Sequence, residues 1–382
     1  MEMDYFLTDD QKELKALARK IAEEKIRPVA AQYDRDGTFP WDIVKVFAEA
    51  GLFGIVIPEE HGGLGMGTFE LALVTEELSK ACGGITLSLA ASALGTFPIL
   101  LSANEEQQKR YLPELAEGKY LAAFGLTEPN AGSDAGSMRT RAVRDGDDYI
   151  LNGSKIFITN GGAAHLYTVI AVTDPTKGSR GTSAFIVQDD YPGFKVGKHE
   201  DKMGIRASAT NEIIFEDCRV PVANRIGGEG QGFLVAMKTL DKSRPGVASQ
   251  ALGIAQGAFD LAVDYAKHRY QFGHPILNLQ AIQFMLADMA TSIESARALL
   301  YQTARYIDSG AKDIGRYSAM SKLLASDVAM KVTTDAVQIF GGYGYMRDYP
   351  IEKYMRDAKI TQIYEGTNQI QRLVIGNSLV KG

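Results

Sequence analysis

The segment Ile363-Tyr364-Glu365-Gly366-Thr367-Asn368-Gln369-Ile370-Gln371-Arg372 sets one carboxylate between an aromatic residue and a glycine, with a polar run behind it. Glycine lets backbone approach a ligand closely, and a neighbouring aromatic excludes water. A carboxylate sheltered in this way tends to a raised pKa and can act as a general base. A solvated surface glutamate explains the local pattern equally simply. The rest of the chain decides between the two.

Four further motifs carry possible chemistry. Phe124-Gly125-Leu126-Thr127-Glu128 running on to Gly132-Ser133-Asp134 and Ser137 offers hydroxyls, backbone donors and an apolar start, an edge for a flat polar heterocycle. A turn-rich strand connection uses the same residues. In Lys155-Ile156-Phe157-Ile158-Thr159-Asn160-Gly161-Gly162, Phe157 can cover a ring system and Thr159 can bond its edge, or a strand simply ends in an Asn-Gly turn. Arg269-Tyr270-Gln271-Phe272-Gly273 presents a guanidinium suited to phosphate or to solvent. Gln338-Ile339-Phe340-Gly341-Gly342-Tyr343-Gly344-Tyr345 permits close backbone contact or ends a helix. None of these is a GxGxxG or GxxxxGK[ST] fingerprint.

The elements that must position these residues follow an α, β, α order. To about residue 119 the chain reads helical. Thr8 with Gln11 resembles a capping box ahead of Leu14, Leu17, Ala18 and Ile21. Ile43, Val44, Phe47 and Ala48 form an amphipathic stretch stopped at Gly51, and further helical runs cover about 68–82 and 105–116. From 120 to 229, Leu166–Val172, Ser183–Val187 and Glu212–Glu216 read as short strands of an antiparallel sheet or barrel-like domain, punctuated by Asp145-Gly146-Asp147 and Tyr191-Pro192-Gly193. After Gly232 long helices return. Ile282, Leu286, Met289, Ile293, Ala296 and Leu300 keep the stride of a bundle seam, a second run covers about 313–340, and Thr367 is placed to cap a third. The expected fold is α+β, with an N-terminal helical domain over 1–119, a middle β domain over 120–229 and a C-terminal four-helix bundle over 230–382.

Composition narrows the function. The 382 residues are 45% hydrophobic and 23% charged, with a net charge of -6 and a pI near 5.6. That balance supplies no basic field for nucleic acid. Cys82 and Cys218 lack CxxC spacing, and the five histidines show no metal-ligand spacing, so neither a disulfide framework nor a metal site is expected. Met1–Asp10 is acidic and resembles no signal or transit peptide, and no apolar stretch is expected to reach the roughly 18–20 residues that span a bilayer. The expectation is a cytoplasmic protein with no membrane partner; a mature mitochondrial matrix form is also compatible.

Together, in this order, the motifs resemble those of the acyl-CoA dehydrogenases over essentially the whole chain. Gly125–Ser137 matches the first family signature. The second is matched by Gln338, Gly341-Gly342, Gly344, Asp348, Lys353 and Asp357, and Ile363–Arg372 matches the base-bearing segment of short- and medium-chain members. The run Arg244 to Gln256 is most similar to short-chain, butyryl-CoA-type enzymes.

The resemblance implies FAD held between the β domain and the C-terminal bundle of a homotetramer. It implies dehydrogenation of a short-chain acyl-CoA to a trans-2-enoyl-CoA, with electrons passed to an electron-transfer flavoprotein. By residue match, Glu365 removes the α-proton while hydride leaves for flavin N5, and the Glu365 backbone N–H helps bind the thioester oxygen. Phe124, Leu126, Thr127, Ser133, Phe157 and Thr159 are matched to flavin contacts. Arg269, Gln271, Phe272, Gln338 and Gly342 are matched to the FAD diphosphate and adenine across a subunit boundary, and Thr367 and Gln369 to FAD beside the base. Ser133, Asp241, Ser243, Arg244 and Gly366 are matched to the acyl-CoA. Phe157 stands where other members carry a tryptophan, keeping the aromatic face and losing an N–H. Some members carry the base on an earlier helix, where this chain has Ser243, which cannot serve. Chain-length preference is expected to depend on Leu87, Leu89, Ala90 and Ala93. An oxidase using dioxygen and a catalytically silent CoA-ligand-binding protein are the competing readings.

Overall fold

A computed structural model describes Met3 and residues 5–381; Met1, Glu2, Asp4 and Gly382, at the two termini of the expected outer domains, lie outside the described residues. Helix α1 (Asp9–Ile21) starts at Thr8, whose hydroxyl accepts from the Gln11 N–H while the Gln11 side chain accepts from the Thr8 N–H. Helices α2 (Ala30–Asp36) and α3 (Trp41–Glu49) follow, and α3 runs out at Gly51, where φ is +70°. Helix α4 (Thr68–Ser79) is buried on nearly every face because two cores share it. Leu71, Val74 and Leu78 pack with the N-terminal helices, whereas Phe69 and Leu73 pack with the C-terminal bundle.

Helix α5 (Gly83–Ser102) corrects the expectation about apolar stretches. Its 20 residues are long and apolar enough to cross a bilayer, but 72% of the most apolar window is buried inside the protein, the surroundings of a core helix. Helix α6 (Glu105–Ala116) closes the N-terminal part behind an Asn104–Gln107 capping box.

The middle of the chain forms β1 (Ala122–Gly125), β2 (Arg141–Asp145), β3 (Asp148–Thr159), β4 (Leu166–Val172), β5 (Thr182–Gln188), β6 (Phe194–His199), β7 (Thr210–Pro221) and β8 (Arg225–Ile226). They pair in the order β6-β7-β3-β2-β4-β5-β8, with β1 added alongside β4. Most pairs are antiparallel, but β1 lies parallel to β4 over Ala122–Gly125, and β2 meets β4 in parallel at Arg141 and Val172. A register shift between Lys155 and Ile158 on β3 pushes out Phe157, which has φ +58°.

The bundle comprises α7 (Gly232–His268), α8 (Gln280–Asp308), α9 (Gly315–Phe340), α10 (Ile351–Thr361) and α11 (Asn368–Lys381). A small hairpin, β9 (Tyr270–Gln271) with β10 (His274–Pro275), joins α7 to α8. The anticipated α8 seam is the buried one: Leu286, Met289, Ile293, Ala296 and Leu300 face Ala-rich stripes of α7 and α9. Small residues there let the helices approach closely.

Helix α5 is the spacer between sheet and bundle. On one side the Ala122 N–H donates to Ser92 Oγ (3.0 Å) and Asn160 Nδ2 donates to the Ser88 and Ala122 carbonyls. On the other, Gln250 Nε2 of α7 donates to the Gly83 carbonyl (2.9 Å).

Candidate active site

The link between α10 and α11 forms the centre of the site. After Thr361 the chain makes a last turn, with the Ile363 and Tyr364 N–H groups both donating to the Ile360 carbonyl. It then takes two left-handed residues in succession, Glu365 at φ +53° and Gly366 at φ +90°. The φ of Gly366 favours glycine there, and a Cβ would lie 2.8 Å from Gln371 Nε2, which would have to give way. A non-glycine residue at positive φ costs about 1–3 kcal/mol and persists only where its surroundings hold it. Here Gln371 Nε2 donates to the Glu365 carbonyl (3.1 Å) and the Gly366 carbonyl (2.8 Å), and Lys322 Nζ of α9 donates to the Gly366 carbonyl (2.9 Å). Thr367 Oγ1 caps α11 by accepting from the Ile370 N–H (3.3 Å). With both carbonyls turned back into the protein, the Glu365 N–H finds no acceptor among the described residues.

Ser243 Oγ of α7 donates to Glu365 Oε2 at 2.5 Å. The two positions weighed as alternative homes for a base are therefore in contact, one supporting the other. Arg244 is buried beside them and gives one N–H to Asp241 Oδ1 (2.6 Å), while its Nε has no partner. Burial raises the Glu365 pKa above the usual carboxylate range, against the pull of the Ser243 hydrogen bond, Arg244 and Lys322. Burial likewise raises Asp241 despite Arg244. Burial draws Lys322 down to about 7, opposed by Glu365 and aided by Arg244. The result is a carboxylate poised to accept a proton, next to an unused backbone donor and a guanidinium with free N–H groups. That set can take a proton from carbon while binding a developing oxyanion.

A second group assembles at the ends of β1 and β3. The Ile156 N–H donates to the Thr127 carbonyl (2.9 Å), bringing Phe124, Leu126 and Thr127 against Phe157 and Thr159. Phe157 is 59% exposed, a large aromatic face held outward by a strained bulge. Ser133 lies exposed on the loop that follows. Beneath this group, Lys155 donates to the Leu126 carbonyl (3.0 Å) and to Glu128 Oε1 (2.7 Å), and Glu128 accepts from the Arg139 and Thr140 N–H groups. An exposed ring face, a hydroxyl at its edge and a braced loop suit a flat heterocycle of the isoalloxazine type.

Arg269, Gln271, Phe272, Gln338 and Gly342 are not brought to either group. Arg269 follows the last residue of α7, roughly 40 Å along that helix from Ser243 at 1.5 Å per residue. Its guanidinium lies 5.3 Å from the centre of the Tyr343 ring, which joins the hairpin to the turn after Gln338. Phe272 is almost wholly exposed. Gln369 is exposed at the start of α11.

The comparisons with known proteins identify this arrangement. The chain matches the acyl-CoA dehydrogenase N-terminal domain over residues 8–119, the middle domain over 123–218 and the C-terminal domain over 230–380. The chain belongs to the acyl-CoA dehydrogenase family. It is 48% identical to butyryl-CoA dehydrogenase from Megasphaera elsdenii, with a TM-score of 0.96 over 99% of this chain and 100% of that one. It is 52% identical, with a TM-score of 0.97 over the whole of both chains, to a chain solved in "Electron transferring flavoprotein of Acidaminococcus fermentans: Towards a mechanism of flavin-based electron bifurcation". It is also 50% identical to an acryloyl-CoA reductase (NADH) from Anaerotignum propionicum, over 99% of this chain and 96% of that protein. As an acyl-CoA dehydrogenase the chain is an FAD-dependent oxidoreductase acting on the CH–CH bond of an acyl-CoA.

Of the residues expected to set chain-length preference, Leu89 and Ala93 line a small cavity with Leu52, Phe53, Leu71 and Leu115 in the N-terminal part. Lys322, Gln371 and Asn368 were missed. Lys322 had a readable signal: it sits in phase with Ser318, Ala325 and Ala329 on the buried stripe of α9, an odd place for a lysine.

Proposed function

We propose that this protein dehydrogenates a short-chain acyl-CoA to the trans-2-enoyl-CoA, with Glu365 as the base that takes the α-proton. The observation that carries the reading is Glu365 itself: a carboxylate with a raised pKa, hydrogen-bonded by Ser243, whose own backbone N–H is left without an acceptor among the described residues. An α-C–H beside a thioester is too weak an acid to yield its proton unless charge on the thioester oxygen is stabilised as it develops. The free Glu365 N–H supplies one such donor, and Ser243, Arg244 and Asp241 line the approach for the thioester arm. FAD, when bound, supplies the two-electron acceptor that takes the β-hydride. Phe124, Leu126, Thr127, Ser133, Phe157 and Thr159 cradle its ring system, with Thr367 and Gln369 beside the base.

The separation of Arg269, Gln271, Phe272, Gln338 and Gly342 from Glu365 supports their acting on the FAD of a neighbouring copy, hence a homotetramer, with units over 1–119, 120–229 and 230–382. Similarity to the chain solved with an electron-transferring flavoprotein supports such a protein as electron acceptor, and the bacterial relatives support a cytoplasmic setting. The reductase relative favours a second reading, the same bond worked in the reductive direction. Anaerobic mixing of the flavin-loaded protein with butyryl-CoA separates them. Rapid flavin bleaching that is reversed by electron-transfer flavoprotein supports dehydrogenation. Bleaching by NADH in the presence of that flavoprotein, discharged by acryloyl-CoA, supports reduction, and peroxide release when the bleached protein is then exposed to air supports an oxidase.

A further inference from the structure

One buried cation of the site, Lys322, is given no role in the proton transfer above. Lys322 on α9 is fully buried, yet no carboxylate comes within ion-pair distance of its ammonium among the described residues. Its named acceptors are neutral: the Gly366 carbonyl and Asn368 Oδ1, each at 2.9 Å. Burying an ammonium against neutral oxygens costs several kcal/mol. Burial draws Lys322 down to about 7, so it carries its charge only on the acid side of that value, whereas a glutamine or serine would tie the same turn with no buried charge at all.

The charges around it point in one direction. Glu365 and Asp327 attract Lys322, and Arg244 repels it. Glu365 in turn is faced by Ser243 and Arg244 from α7 and by Lys322 from α9. Helix α5, packed on α7, carries no titratable group, the Tyr364 hydroxyl is taken by Gln250, and α11 contributes only the Gln371 amide. Two cations from two helices therefore flank one carboxylate. Arg244 is already paired with Asp241. Lys322 has no such pair, and its field falls on Glu365.

We propose that Lys322 is a positioning residue for Glu365, its Nζ pinning the left-handed Glu365–Gly366 turn through the Gly366 carbonyl and, when protonated, setting a positive charge on the residue next to the base. This rests on Glu365 being the base. A nearby cation favours the charged form of a carboxylate, so removing it moves the Glu365 titration to higher pH.

Lys322→Gln keeps a hydrogen-bond donor and removes the charge; Lys322→Met removes both. Each flavin-loaded variant is titrated by infrared spectroscopy, following the carboxyl band that Glu365→Gln lacks, and its turnover is measured against pH. The expected result is an upward shift of both the infrared titration and the acid limb of kcat in Lys322→Gln, with a further loss of plateau kcat in Lys322→Met as the turn loosens. A merely structural lysine would lower stability or plateau kcat and leave both titrations in place, and that result overturns the proposal. If Lys322→Met does not fold, Lys322→Gln carries the test alone. If Glu365→Gln retains turnover, it is the base assignment that fails, and the infrared titration still reports whether Lys322 acts on the carboxylate.

Discussion

Replacing Lys155 by methionine removes the only cation paired with Glu128 among the described residues, beneath the Thr127–Phe157 group. Lys155 is fully buried and Glu128 nearly so, with Nζ and Oε1 at 2.7 Å. Burial alone would push the Glu128 carboxyl up, but Lys155, Thr140 and the Arg139 N–H together hold it below its ordinary value. Removing one partner of such a pair costs about 3–5 kcal/mol. Glu128 keeps two backbone donors, at 2.6 and 2.9 Å, which compensate part of its charge and place the loss near the lower end, about 3 kcal/mol. At about 2.1 cal/mol/K of unfolding entropy per residue, a chain of 382 residues loses about 1.2 °C per kcal/mol, so melting should fall by roughly 4 °C. The Leu126 carbonyl also loses its donor, so the loop from Leu126 to Thr140 loosens and flavin leaves earlier in a denaturant titration than the helices unfold. Circular dichroism and flavin fluorescence in the same guanidinium series measure both. Adding Glu128→Gln should restore part of the stability, because the amide oxygen still accepts one of the two N–H groups and no charge is left unpaired. A Lys155→Met protein that loses less than about 1 kcal/mol and keeps its flavin would refute the reasoning.

Two other perturbations act on the base directly. Ser243→Ala removes a hydrogen bond that lowers the Glu365 pKa, so the acid limb of kcat should move to higher pH while flavin content stays unchanged; a pH–rate profile checks the sign. Gly366→Ala forces a side chain into φ +90° and against Gln371, which should cost about 1–3 kcal/mol in a thermal melt. Displacing the Glu365 peptide by as little as 1 Å should lower kcat by about 100-fold in a steady-state assay.

Local signals were the readable ones. The Thr8–Gln11 capping box, the stride of α8, the β-branched runs of β4 and β5 and the Thr367 cap all depend on residues close in sequence, and each occurs as anticipated. Helix α5 was not anticipated because it is enclosed on most sides: with α7, the sheet and the N-terminal helices around it, apolar residues occur without a 3.6 stride. The same lack of pattern hid its length, and hid that Leu89 and Ala93 face the N-terminal core. The parallel pairing of β1 with β4 joins residues more than forty positions apart, beyond the reach of any turn signal. At the site, Glu365 announced itself through its glycine. Lys322 shows its importance only when α9 is laid against the α10–α11 link, because its partners Gly366 and Asn368 lie on a different element.

The central claim is that Glu365 takes the α-proton. Anaerobic stopped-flow measurement of flavin bleaching by butyryl-CoA in Glu365→Gln tests it most directly, since glutamine keeps the shape and cannot accept the proton. The account predicts retained flavin, retained binding of the product enoyl-CoA, and bleaching slowed by about 100- to 10,000-fold. Bleaching within about threefold of the unmodified protein, well short of what a general base contributes, would contradict it.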